Sequence, residues 1–226
     1  EKSYLETERV ARKLNSPMHI GWAYNKVPFI RYLQGKITAS EAISALNEGI
    51  SMSESVHDHM TLCIHYGHLA SIAEKENDVD AAIRYALQVL RENRLYTVNI
   101  PHVKISWVNA AEALCFALES DRTDIDRKRL LSLARHAVRN AQKLGKHFSL
   151  IDGPSKRAAA RFALCCGKAD LARNLSLKAN AMLKDTPYEW EYANALLLAS
   201  RCFPEESEIY REKAEALFAA HGITRY

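Results

Sequence analysis

Four histidines and a cysteine crowd into twelve residues, at His57, His59, Cys63, His65 and His68. On a helix, His59 and Cys63 share a face at i,i+4, and His65 and His68 share one at i,i+3. Each pair is half of a zinc site. The halves do not join, because a helix turns about 100° per residue and Cys63 and His65 then point to different sides. No His-Glu-x-x-His or Cys-x-x-Cys frame accompanies them. The expectation is groove or surface histidines and no bound metal. A second pair, Arg157 and Arg161, lies one helical turn apart. Two guanidiniums on one face can grip a carboxylate or phosphate; the plainer alternative is pairing with local acids. Gly145 and Gly153 stand alone, without a Walker frame or a Gly-x-Gly-x-x-Gly loop, and no nucleophile elbow surrounds any serine. No catalytic residue and no cofactor are therefore assigned. The five cysteines, Cys63, Cys115, Cys165, Cys166 and Cys202, each fall in an apolar helical pattern. That usage fits buried, reduced thiols of a cytoplasmic protein.

The elements that must carry these side chains are helices. A phrase recurs about every forty residues: a helix ends, a short polar turn follows, and a second helix opens with a small residue at a matched place. It reads LQGKITASEAISAL at 33–46, AEKENDVDAAIRYAL at 73–87 and LCCGKADLARNLSLKA at 164–179. The small residues Ala42, Ala82, Ala134, Ala172 and Ala214 mark the register. Helices crossing at about 8–10 Å need small side chains there. The predicted helices cover 4–15, 18–34, 57–76, 79–94, 101–119, 126–144, 156–166, 169–183, 188–203 and 205–221, and a further one opens at Thr38. Pro28 is expected to kink or divide the second. Thr38 and Glu41 form a capping box. Gly145 is placed as a C-terminal cap and Gly222 as the final stop. Residues 95–100 read as a linker, 121–124 as a turn that lengthens the third unit, and 152–155 (Asp-Gly-Pro-Ser) as a break.

The 226 residues are 48% apolar and 26% charged, with only 8 glycines and 6 prolines. That suits a continuous helical core and leaves little room for a sheet of many tight turns. A net charge of +4, spread along the chain, does not argue for nucleic acid. No run approaches eighteen apolar residues, so no membrane span is expected. The chain opens on Glu-Lys-Ser, already in a helical pattern, and reads as one domain over 1–226 that belongs to a larger protein.

These hairpins resemble tetratricopeptide repeats. Leu69-Ala70, Ala73 and Ala82 fit one unit, Ala159-Ala160, Ala163, Gly167 and Ala172 fit another, and Ala110-Ala111 with Leu114 fit the first helix of a third. The units exceed the usual 34 residues, and the proline that closes each unit in that family is mostly missing. Longer units of this kind look like the helical region of large bacterial signalling proteins of the STAND ATPase class. Residues 141–150, AQKLGKHFSL, resemble a phrase of that class, with Lys146 and His147 departing from its His-Pro.

The resemblance implies an all-α fold: a right-handed superhelix of antiparallel hairpins whose first helices line a concave groove. Carried through the register, it places Arg31, Ser71, Glu74, Asn109, Glu112, Arg157, Arg161, Tyr188 and Glu191 on that face. Trp22, Trp107 and Trp190 fall early in first helices and read as packing anchors. The implied function is non-enzymatic. It is a scaffold or sensor segment of a signalling or transcription-regulating protein, with a protein or peptide partner in the groove. The alternative is a small effector in the same groove, gating an attached output domain.

Overall fold

A computed structural model of the chain describes residues 2–95, 100–120 and 125–226. Every regular element among them is helical. In order they are α1 (Lys2–Lys13), α2 (Pro17–Ala23), α3 (Val27–Leu33), α4 (Ala39–Ser55), α5 (His59–Lys75), α6 (Val79–Leu95), α7 (Pro101–Lys104), α8 (Ser106–Glu119), α9 (Arg127–Gly145), α10 (Ser149–Cys165), α11 (Ala169–Leu183), α12 (Glu189–Cys202) and α13 (Ser207–Ala220), with a 3-10 turn at Pro204–Glu206 before the last. No helix among the described residues is long and apolar enough to cross a membrane.

Local chemistry sets the boundaries. Thr38 accepts from the Glu41 amide at 3.2 Å, and Glu41 accepts from the Thr38 amide at 2.8 Å, which completes the capping box. Asp58, Asp78 and Asp126 each accept a backbone N–H three residues on, at 3.1, 2.9 and 3.2 Å. Pro28 divides the second expected helix into α2 and α3 and sits in the first turn of α3, where a missing N–H costs little. Left-handed residues punctuate the turns at Asn15, Gly35, His57, Asn77, Gly167 and Gly222. Glycine and asparagine take that conformation most readily, and histidine does so more often than most.

Three expected boundaries move. The helix from 101 splits at Ile105 into α7 and α8. Gly145 is not a left-handed cap; it is the last residue of α9, where a Cβ would come within 2.8 Å of Ser155 Oγ and 3.0 Å of Asp152 Cα. Residues 152–155 are not a break, because α10 runs through them with Pro154 inside. Two local bonds bridge the proline: Ser155 Oγ donates to the Asp152 carbonyl at 2.8 Å, and Lys156 pairs with Asp152. Gly153 is required by close approach, since a Cβ there would lie 2.6 Å from Leu183 Cγ. The expected turn at 121–124 and most of the linker at 95–100 lie outside the described residues.

Consecutive helices pack as antiparallel neighbours: α5 with α6, α8 with α9, α10 with α11 and α12 with α13. The second helix of each pair also meets the first helix of the next, as α4 does α5, α6 does α8, α9 does α10 and α11 does α12. The first helices touch one another in turn, α5 on α8, α8 on α10 and α10 on α12. The five register alanines, Ala42, Ala82, Ala134, Ala172 and Ala214, are all 0% exposed. Enlarging Ala172 to leucine is therefore expected to destabilise the fold by about 1–3 kcal/mol through overpacking. A urea melt of the variant superimposing on the parent's would contradict that register.

The C-terminal tail returns to α3. The Thr224 and Arg225 amides both donate to the Leu33 carbonyl, at 2.9 and 3.1 Å. Gln34 Nε2 donates to the His221 carbonyl at 3.1 Å. The Arg225 guanidinium sits 4.7 Å from the centroid of the Tyr32 ring, and Ile223 packs against the apolar cluster around Tyr32 and Leu33.

Candidate functional site

Because the first helices adjoin and the tail reaches α3, their inward side chains line two open pockets. One cavity, of about 470 Å³, is lined by Ser71, Glu74 and Lys75 of α5, Asn109 and Glu112 of α8, Arg157 and Arg161 of α10, and Trp190, Glu191 and Arg201 of α12. A second, of about 580 Å³, adjoins it and is more apolar, with Leu33, Ile64, Leu150, Pro187, Tyr188 and Ile223 in its wall. Lys26, Phe29, Ile30, His68, Ile105, Asn109, Trp190 and Glu191 belong to both. Eight of the nine residues placed by register on the concave face thus line this pair of lobes. Arg31 does not; it lies on α3 close enough to Glu41 to contribute, after the Thr38 hydrogen bonds, to lowering that carboxyl's pKa.

The two arginines face the cavity, but they are not free to clamp an anion. Arg157, whose side chain is 6% exposed, donates through Nε and Nη2 to the two oxygens of Glu112 at 2.7 and 3.1 Å, and through Nη1 to Glu191. Arg161 pairs with Glu74, and through Nε and Nη2 with both oxygens of Glu119 at 3.2 and 3.0 Å. Glu119 also accepts from Arg201 at 2.7 Å. Three guanidiniums and four carboxylates from α5, α8, α10 and α12 thus form two adjoining ion-pair groups, Arg157 with Glu112 and Glu191, and Arg161 and Arg201 with Glu74 and Glu119. Burial works against the charge on Arg157, but Glu112 and Glu191 outweigh it and raise its pKa. Burial likewise opposes ionisation of Glu119, and Arg161 and Arg201 still hold its carboxyl below the usual range. The expectation of exposed, ligand-ready arginines is corrected for a physical reason: each stands between two glutamates on neighbouring helices.

The histidine cluster disperses. His57 is the left-handed turn residue before α5. His59 Nδ1 lies 2.7 Å from Glu92 Oε2. Cys63 is fully buried, and burial pushes its thiol up to about 12. His65 is fully buried, with Nε2 3.2 Å from the Gly21 carbonyl. His68 stacks on Phe29 at 4.5 Å between centroids and borders both lobes. Among the described residues no three His, Cys, Asp or Glu side chains converge as a metal site needs.

Several cavity residues escape the sequence pattern. Lys75 projects over Trp190, with Nζ 5.6 Å from the ring centroid. Trp190 packs edge-on against Phe218 as an anchor and also walls both lobes. Trp107 meets His136 edge-on. Trp22 is not buried as an anchor; it is 36% exposed and donates Nε1 to Asp58 at 2.9 Å. Lys26 and Phe29 lie on the short α2–α3 segment, where the forty-residue register assigns no facing. Glu119 lies about two turns beyond Glu112 on α8 and Arg201 about three turns beyond Glu191 on α12, so the register reached neither. No protein-family model, curated protein or solved structure gives a significant match to this chain.

Proposed function

We propose that this chain is the ligand-sensing segment of a bacterial signalling or transcription-regulating protein of the cytoplasm. In this reading it is a right-handed superhelix of tetratricopeptide-like hairpins that takes a small effector in its central cavity and has no catalytic role of its own. The observation that carries the reading is the return of the tail to Leu33, which brings His221, Ile223 and Tyr226 into the walls of two adjoining pockets between the first helices. Pockets of several hundred Å³ are the size small molecules occupy. The self-paired arginines support the same choice, since an acidic peptide would have to compete with Glu74, Glu112, Glu119 and Glu191.

A melting-temperature screen against small molecules and against short peptides tests this. A small effector is expected to raise Tm saturably at one molecule per chain. The rise is expected to vanish in Ser71→Trp, which fills the cavity from α5. An effector whose effect survives that substitution, or stabilisation by peptides alone, would favour the peptide scaffold instead.

A further inference from the structure

The chemical class of the effector follows from which charges in the cavity are already spent. Arg157, Arg161 and Arg201 face Glu74, Glu112, Glu119 and Glu191, so these ion pairs alone carry one negative charge in excess. Lys75 and Lys26 enter the same lobe and reverse that excess to one positive charge there, while Glu189, in the wall of the adjoining lobe, is paired with His221. Neither ammonium has a carboxylate within ion-pairing distance among the described residues. Lys75 has the indole of Trp190 beneath it and no hydrogen-bond acceptor, and burial, the largest influence on it, lowers its pKa. An ammonium that faces the cavity without a carboxylate partner is a strong site for a charge-assisted hydrogen bond. Immediately beside it, past Phe29 and His68, lies the lobe walled by Leu33, Ile64, Leu150 and Ile223.

We propose that the cavity binds an amphipathic monoanion: an apolar body in the Leu33–Ile223 lobe, with a single carboxylate, sulfonate or phosphodiester group against Lys75 and Lys26 beside Trp190. This deepens the effector reading and rests on it. Aromatic bodies gain further from the Trp190 and Phe29 faces.

Two fluorescent probes with the same aromatic body separate the parts of the claim. One is 8-anilinonaphthalene-1-sulfonate, a monoanion; the other is N-phenyl-1-naphthylamine, which is neutral. The folded protein is expected to bind the anion at one site, about tenfold or more tighter than the neutral probe. Lys75→Met is expected to weaken the anion about tenfold while leaving the neutral probe within about twofold, and Lys26→Met to act in the same sense. Retained neutral-probe binding shows that each variant is folded. If Lys75→Met loses both probes, Lys26→Met decides alone. Equal affinities for the two probes, or anion binding indifferent to both lysines, overturns the anionic class and leaves the cavity as a receptor for neutral molecules. Failure of both probes to bind at a defined site overturns the effector reading and this inference together.

Discussion

Replacing Arg157 with methionine is expected to lower the unfolding free energy by about 3–5 kcal/mol, although the new side chain fills most of the same space. The loss comes from what stays behind. Glu112 and Glu191 approach the same guanidinium from α8 and α12. Without it, two carboxylates face each other in a poorly hydrated interior and must either protonate or drag water in. Neutralising Glu112 in the same chain (Glu112→Gln) is expected to recover part of the loss, because the penalty lies in the unpaired charge more than in the missing attraction. Arg84→Ala, on the exposed face of α6, is expected to cost less than about 0.5 kcal/mol. Urea unfolding followed by circular dichroism reads all three. An Arg157→Met midpoint indistinguishable from the parent's would show that this ion-pair group contributes nothing to holding α8, α10 and α12 together.

Acid is expected to loosen the fold well before the carboxylates titrate. Burial holds His65 at about 4, against the 6.5 of an ordinary histidine, with the Gly21 carbonyl and Asp58 only partly opposing it. Burial, and then the neighbouring His65, holds His68 at about 3. Both are neutral in the fold and readily protonated once unfolded. Their contribution is therefore fully present above pH 6.5 and is lost as pH falls through the interval down to about 4 and 3. Each histidine removes about 1.4 kcal/mol of stability per pH unit there, so His65 alone accounts for on the order of 3 kcal/mol by pH 4. The space around His65 admits no easy escape, since a Cβ on Gly49 would already lie 2.6 Å from its Cε1. Melting temperatures taken from pH 7.5 to 4.5 are expected to fall steeply below 6.5. In a His65→Gln, His68→Phe double variant the slope between 6.5 and 5 is expected to flatten. A parent profile level across that interval would contradict the neutral state of both rings.

The hairpins and the buried alanine column were legible in the sequence because both follow from short-range rules. The capping box at Thr38 and Glu41 and the turns at Gly35, Asn77 and Gly167 are local chemistry, and Ala42 through Ala214 recur at intervals of about forty residues. Gly153-Pro154 misled because such a pair usually stops a helix; here the tight seat of Leu183 against Gly153 outweighs local preference. The cavity-facing direction of Ser71, Asn109 and Arg157 was also within reach of the register. Their partners were not. Glu112 and Arg157 lie 45 residues apart and Glu74 and Arg161 lie 87 apart. Nothing in one helix's pattern says which acid on another will meet its arginine. The return of the tail to Leu33 is still less readable, since it pairs backbone groups with no side-chain signature.

That return changes how motion in the molecule must be shared. In an open string of repeats every joint between neighbours can flex by itself, and a twist at one end need not be felt at the other. Fastening Thr224 and Arg225 to Leu33 makes a loop of what would be a line, and a loop loses that independence. If one hairpin tilts inward, the remaining joints must take up an equal and opposite rotation or the fastening must part. Under the effector reading proposed above, a molecule lodged among the first helices would bear on every joint at once.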